Sequence, residues 1–243
     1  MESTLDAPLP SIARPLERDG FAFSLAPRTR AVFEAFGFGD WDAFAASWDD
    51  LGVDRYMADG GRYRRRRFAA YAVDAQGVTR KPHQPHYQSM DYNPLNGGIE
   101  RWFAPIGEAA GRSPAMCAAI RACFSLFDPL TPPLQRPQAW HVEAHQFRIE
   151  ASAQAEGRPT PEGLHRDGVD WVMVLLVKRV NVESGRTTIH SLAGEEIGTF
   201  TLTAPLDAAF VDDARVFHGV TPVTPLDATQ PALRDVLVLT FRR

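Results

Sequence analysis

The chain has 243 residues, 44% of them apolar and 23% charged, a composition that excludes wholesale disorder and supports one large globular unit. Its 26 Lys and Arg stand against 30 Asp and Glu for a formal charge of -4, which argues against a dedicated nucleic-acid binder. No stretch approaches the roughly 20 consecutive apolar residues of a membrane span, and the N-terminus lacks the basic-then-apolar pattern of a secretory leader, so a cytoplasmic protein is expected.

Residues 1–18 carry Pro8, Pro10 and Pro15 without a clear period and read as a flexible N-terminal arm; residues 19–243 read as a single domain with a helical N-terminal part. The first helix is expected over Pro27–Phe36. A second begins after Gly39, with Asp40 as N-cap and Trp41, Phe44, Trp48 and Leu51 at helical spacing. Residues 62–73 read as a strand ended by the turn Ala75-Gln76-Gly77. The clearest helix follows: Ser113 caps it, Pro114 suits its first turn, and Met116, Ile120, Cys123 and Phe127 share a face. Cys117 and Cys123 fall on that helix roughly 9 Å apart along its axis, too far for a disulfide, so two buried free thiols are expected.

Beyond residue 138 the pattern changes to short strands: 138–150, 171–182, 186–192, 195–203, 207–211, 214–221 and 234–242, punctuated by Gly185, Gly194, Asp212-Asp213 and a Pro-containing loop at 222–231. Such spacing predicts an antiparallel sandwich or barrel. With helices first and strands afterward, the fold class is mainly β with flanking helices (α+β), the helices packed on one side.

His165-Arg166-Asp167 precedes the apolar strand WVMVLLV. In an extended segment residues i and i+2 point the same way, so an imidazole and a carboxylate can reach one metal. His218, in RVFHGVTP, supplies a third ligand from a later strand. Two His and one carboxylate on one face of an octahedron are the arrangement of non-haem Fe(II) oxygenases. A 2-oxoacid co-substrate would chelate the metal and leave a distal carboxylate for a bidentate guanidinium. Arg234, opening RDVLVLTF sixteen positions after His218, is the candidate. A hairpin of the last two strands would bring it toward the metal; its bland alternative is an ion pair with Asp235.

The segments PEGLHRDGVDWVMVLLVKRVNVESGRTTIH, VDDARVFHGVTPV and RDVLVLTF, with YNPLNGGIERWFAPI and VEAHQFRIEA upstream, resemble the bacterial 2-oxoglutarate/Fe(II)-dependent dioxygenases acting on free L-amino acids, such as the L-isoleucine 4-dioxygenases. The resemblance implies a double-stranded β-helix (jelly-roll) core, His165, Asp167 and His218 as Fe(II) ligands, and Arg234 as the 2-oxoglutarate anchor. It also implies hydroxylation or sulfoxidation of a small substrate with O2, releasing succinate and CO2. The spacing from His218 to Arg234 is longer than is common in the wider superfamily, which leaves Arg242 and Arg215 as lesser candidates.

Other features admit plainer readings. Arg62 to Arg67 is the most basic run, but strand alternation splits its charges between two faces, so no nucleic acid is expected; one of these arginines facing the pocket could hold a substrate carboxylate. His83 and His86 read as pocket rim. His141, Glu143 and His145 share strand parity; zinc binding is conceivable, and a polar stretch at the barrel mouth is the simpler reading, with Gln146 and Arg148 as further pocket candidates. Trp171 walls the pocket or packs in the core. No phosphate-binding glycine loop or nucleophilic serine motif occurs. Two rivals stand: a metal-binding cupin-like isomerase or sensor without oxygenase chemistry, which needs no Arg234, and a nucleic-acid protein built on the arginine run. A homodimer is a further expectation, resting on the apolar helix near 112–127 and the N-terminal arm.

Overall fold

Alternation along the long strands sorts their side chains onto two faces, one packed under helices and one lining a cavity. The computed structural model describes residues 8–93, 95 and 97–243. In chain order its elements are α1 (Pro8–Asp19), β1 (Phe21–Ser24), α2 (Ala26–Glu34), α3 (Trp41–Ala46), β2 (Arg64–Asp74), β3 (Gly77–Arg80), α4 (Glu108–Gly111), α5 (Pro114–Leu130), β4 (Trp140–Ala151), β5 (Trp171–Val180), β6 (Val182–Ser184), β7 (Thr187–Ser191), β8 (Glu196–Phe200), β9 (Ala208–Asp212), β10 (Val216–Val220), β11 (Val223–Pro225) and β12 (Ala232–Arg242). Seven strands form one antiparallel sheet in the order β1-β9-β5-β12-β4-β2-β3, while β10-β7-β8 and β11-β6 form two smaller ladders. Together they make a jelly-roll with helices against the large sheet.

The register shows how one strand serves two purposes. Val236, Val238, Thr240 and Arg242 of β12 stand opposite Phe147, His145, Glu143 and His141 of β4, and all of them face the cavity. The alternate residues Leu237, Leu239 and Phe241, with Val142, Ala144, Met173 and Leu175, join the helices in the main core. Helix α5 supplies much of that core. The Ser113 hydroxyl accepts the Met116 amide at 3.2 Å, as its sequence position predicts. Phe127 stacks on Trp171 at 5.2 Å and meets Phe241 edge-on at 5.2 Å. Trp171 Nε1 donates to Thr131 Oγ1, so this indole belongs to the core and not to the pocket.

Several expectations are corrected. Residues 8–18 of the expected arm are part of α1; residues 1–7 lie outside the described residues. Ile12 and Leu16, one helical turn apart, are buried, and the Arg215 guanidinium donates to the Glu17 and Arg18 carbonyls at the helix end. The prolines concealed this helix, yet Pro8 and Pro10 fall in the first turn, where a missing N–H removes no helical bond. Asp40 stands at the start of α3 in a left-handed conformation and makes no side-chain cap. The last two strands form no hairpin: β10 pairs with β7, and β12 sits between β4 and β5. The intervening loop contributes β11, paired with β6. Cys117 is only partly buried, Cys123 fully so, and both are free. Among the described residues, no helix is long and apolar enough to cross a membrane.

Candidate metal centre

His165 and His218 are brought together by backbone, not by side-chain chance. The two residues exchange amide-to-carbonyl bonds of 3.0 Å in an isolated antiparallel bridge, which places their rings 4.5 Å apart. Asp167 follows two residues later. Its Oδ1 lies 3.7 Å from His165 Nε2 and its Oδ2 lies 3.5 Å from His218 Nε2. The potential ligand atoms of His165, Asp167 and His218 all lie within 4.8 Å of one another, a spacing one ion can bridge. His165 Nδ1 donates to the Gly163 carbonyl at 3.0 Å, a tautomer that turns the Nε2 lone pair toward the cluster. The donor set of two imidazoles and one carboxylate suits a divalent transition metal with open coordination positions.

Asp213, which the sequence suggested only as part of a turn, braces the backbone of this loop. Its carboxylate accepts the backbone amides of Asp167, Gly168 and Val169 at 2.8, 2.8 and 3.1 Å. Burial alone would raise the Asp167 carboxyl, but the hydrogen bond from His218 and the charges of both imidazoles outweigh it and hold it well below the usual carboxylate range. Burial likewise disfavours the His218 imidazolium, and the Asp167 hydrogen bond more than compensates, so its pKa rises.

Arg234 lines the same cavity, from the large sheet, and is 2% exposed. Its Nε and Nη2 have no partner among the described residues. The alternative ion pair with Asp235 is not made: Asp235 takes a bidentate bond from Arg148 at 2.8 Å. Burial, and then the charge of Arg179 directly opposite on β5, push the Arg234 guanidinium down to about 10. A buried cation with idle donors calls for an anion. Of the lesser candidates, Arg242 lines the cavity and Arg215 is committed to α1. Val172, Val174, Ile189, Val236 and Val238 give the same cavity an apolar wall.

The other end of the cavity is polar. His141, Glu143 and His145 face it, as strand parity predicts, and His86 joins them from the preceding loop. His86 Nδ1 lies 2.7 Å from Glu143 Oε2. Ligand atoms of His86, Glu143 and His145 also lie within 4.8 Å of one another. A guanidinium can only donate, however, and Arg66 Nη2 lies 2.6 Å from His145 Nδ1. His145 Nε2 must then carry the proton, leaving no lone pair for a metal, so this group is a hydrogen-bonded network. Burial keeps His145 neutral, its pKa lowered to about 3 despite Glu143. The arginine run divides by parity: Arg64 and Arg66 are buried at the cavity, with Arg64 on Asp54 at 2.7 Å, while Arg65 and Arg67 pair with Glu150 and Asp50. Gln146 and Arg148 do not contribute to the pocket; they point to the opposite face, onto Ser47 and onto Asp49 and Asp235.

A jelly-roll enclosing two imidazoles, a carboxylate and an unpaired buried guanidinium defines the class of non-haem iron oxygenases that use a 2-oxoacid. The chain belongs to the 2OG-Fe dioxygenase family, whose model matches residues 45–240. It is therefore an oxidoreductase that uses Fe(II), 2-oxoglutarate and O2 on a small-molecule substrate, which sets aside the non-oxygenase cupin-like alternative. It is 26% identical over 236 residues to a 3(1)-hydroxy-L-isoleucine 4-dioxygenase of Pantoea ananatis, with 94% of each chain covered. A bsmA homolog from Methylobium petroleophilum PM1 superposes with a TM-score of 0.85 at 36% identity, over 96% of this chain and 92% of that one. The Fe(II)/α-ketoglutarate-dependent dioxygenase TqaL shares the fold, with a TM-score of 0.78 at 19% identity over 97% and 87% of the two chains.

Proposed function

We propose that His165, Asp167 and His218 hold the Fe(II), that Arg234 pairs with the distal carboxylate of 2-oxoglutarate, and that the substrate oxidised is a free L-amino acid. The observation that carries this reading is the buried guanidinium of Arg234, whose Nε and Nη2 have no partner among the described residues, in the cavity shared with the triad. The amino-acid substrate is supported by the Pantoea relative, whose name states a hydroxylated isoleucine as its substrate. Bound iron and 2-oxoglutarate supply the oxidation itself, consuming O2 and releasing succinate and CO2. The chain's own residues fix ligand directions, anchor the co-substrate, and keep water from the apolar wall. Asp167 stays ionised and His165 presents Nε2, so the ligand atoms stand ready without rearrangement.

Residues 8–243, α1 included, then act as one dioxygenase unit in the cytoplasm, on a small molecule, with neither nucleic acid nor membrane as partner. The inward turn of Arg64 and Arg66 and the pairing of Arg65 and Arg67 support this, because no free basic stripe is left along the run. The apolar face of α5, which with the N-terminal arm is the basis for expecting a homodimer, is buried against the chain's own core, and so are Ile12 and Leu16 of α1.

The test is succinate formation with Fe(II), ascorbate and each of the twenty L-amino acids, with mass spectrometry for a product one oxygen heavier. Succinate and an oxidised amino acid, both lost in Asp167→Ala, are the expected result. Succinate without such a product would discard free amino acids as substrates.

A further inference from the structure

The cavity holds a second pair of unsatisfied charges, separate from Arg234. Arg101 is 2% exposed, and among the described residues its Nε has no partner; Glu162 has an Oε2 that is buried and equally without one. Both side chains line the cavity. Buried charges in folded proteins are paired or hydrogen-bonded, so idle donor and acceptor atoms mark where a ligand's polar groups belong.

Glu143 and Arg66, the charged groups beside them, spend most of their polar contacts within the chain, although Arg66 Nε is idle as well. Glu143 faces three imidazoles, with His86 at 2.7 Å, His141 at 3.5 Å and His145 at 3.6 Å. Arg66 is sandwiched between the rings of Phe103 and Phe147 at 3.5 and 4.5 Å and spends Nη2 on His145. Among the described residues, Glu162 is the one carboxylate with an idle buried oxygen, and Arg101 carries the opposite sign.

We propose that Arg101 and Glu162 are the head-group clamp of the substrate, Arg101 receiving the α-carboxylate and Glu162 the α-ammonium of a free amino acid. The proposal rests on the amino-acid reading given above. Its location fits the chemistry. Glu162 Oε1 lies 3.5 Å from His165 Nε2, so an ammonium held there is beside the triad. Arg101 is fixed by mutual backbone bonds with His86 at 2.9 and 3.0 Å. Its Nη2 reaches Gln88 Oε1 at 3.4 Å, and Gln88 Nε2 donates to the Asp167 carbonyl at 3.0 Å. One polar chain thus links the carboxylate end of the clamp to the metal loop.

The test uses the L-amino acid that gives product in the panel, its carboxamide and its desamino acid; for isoleucine these are L-isoleucinamide and 3-methylpentanoic acid. Each is titrated calorimetrically, without O2, into enzyme loaded with Fe(II) and 2-oxoglutarate. Wild type should bind both analogues at least about 10-fold more weakly than the amino acid, the loss expected for an unmatched buried charge. Glu162→Gln should weaken the amino acid by about 10- to 100-fold while binding the desamino acid like wild type. Arg101→Gln should show the same pattern toward the carboxamide, and Arg101→Lys, which keeps the charge without the fork, should lie between. Equal weakening of all three probes, or none, overturns the clamp while leaving the amino-acid reading intact. So does a fall in iron affinity in Glu162→Gln with unchanged discrimination, which would make Glu162 a metal ligand. If no amino acid gives product, the amino-acid reading fails and the clamp fails with it.

Discussion

Asp213 holds the backbone at Asp167: one carboxylate oxygen takes the Asp167 amide, and the other takes the next two amides in line. The side chain of Asp167 is thereby aimed by a residue 46 positions away that touches no metal itself. Asp213→Asn would set an amide N–H against donors that now meet an oxygen. Iron affinity, measured by competition with a chelator, should fall by about 10- to 100-fold with the far-ultraviolet circular dichroism unchanged. Iron affinity equal to wild type would remove Asp213 from the site.

Arg234→Gln should raise the KM for 2-oxoglutarate by about 100-fold, since it removes a buried charge from a charge-assisted pair. Iron binding should not change. Arg234→Lys restores the charge but not the fork, and an intermediate KM is expected. Direct titration of 2-oxoglutarate into the iron-loaded protein checks the same point without turnover; undiminished binding in Arg234→Gln would falsify the anchor.

The contribution of His145 to stability should decline on mild acidification, before ordinary carboxylates titrate, while His218, whose pKa is raised, works in the opposite direction. His145 has a folded pKa lowered to about 3, below the unfolded value, so above about pH 6.5 both states are neutral and stability is full. As pH falls below 6.5 the unfolded state takes up the proton first, and the folded state loses ground until about 3. Between pH 6.5 and 5 this one group accounts for a loss on the order of 1 kcal/mol. His86, also lowered by burial, adds in the same direction. Urea melts of metal-free protein across that range should show the slope, and His145→Gln should flatten it.

Phe127 makes the contact that fastens α5 to the large sheet, stacked on Trp171 and edge-on to Phe241. Phe127→Ala should destabilise by about 3–5 kcal/mol in urea unfolding, with the loss spread over the whole transition. A change under about 1 kcal/mol would mean that the site had collapsed to fill the void.

The readable parts of this molecule are those carried by periodicity. Strand parity correctly put His141, Glu143 and His145 on the cavity face, and Ser113 caps α5 as its position predicts. The same parity argument separates Gln146 and Arg148 from the pocket, although the sequence left them as candidates. The H-x-D tripeptide and His218 are found together because their spacing and strand context are local signals. Arg234 reaches the cavity by a different route from the expected hairpin: β10 and β12 belong to different ladders. Asp213, Arg101 and Glu162 left no signal, because a carboxylate bonded to a distant backbone amide, or an idle buried atom, has no sequence pattern. Helix α1 was hidden for another reason: Pro8 and Pro10 suit a first turn whose start the sequence does not mark, and Pro15 lies in the helix interior, where proline ordinarily argues against a helix.

The opposition of the sheets has a consequence for selectivity. His218 stands on the small ladder and Arg234 on the large sheet, so on the proposed assignment a co-substrate must span the sandwich, whose layers lie about 10 Å apart. Packing between the layers, by Val172 and Ile189 among others, acts as a ruler. A 2-oxoacid one methylene shorter or longer meets a fixed gap, because moving the guanidinium would mean moving a strand bonded on both sides. Chain-length discrimination among 2-oxoacids is then a property of the core, and it should loosen when Ile189 is trimmed to Val, although that side chain is not one of the groups that bind the acid.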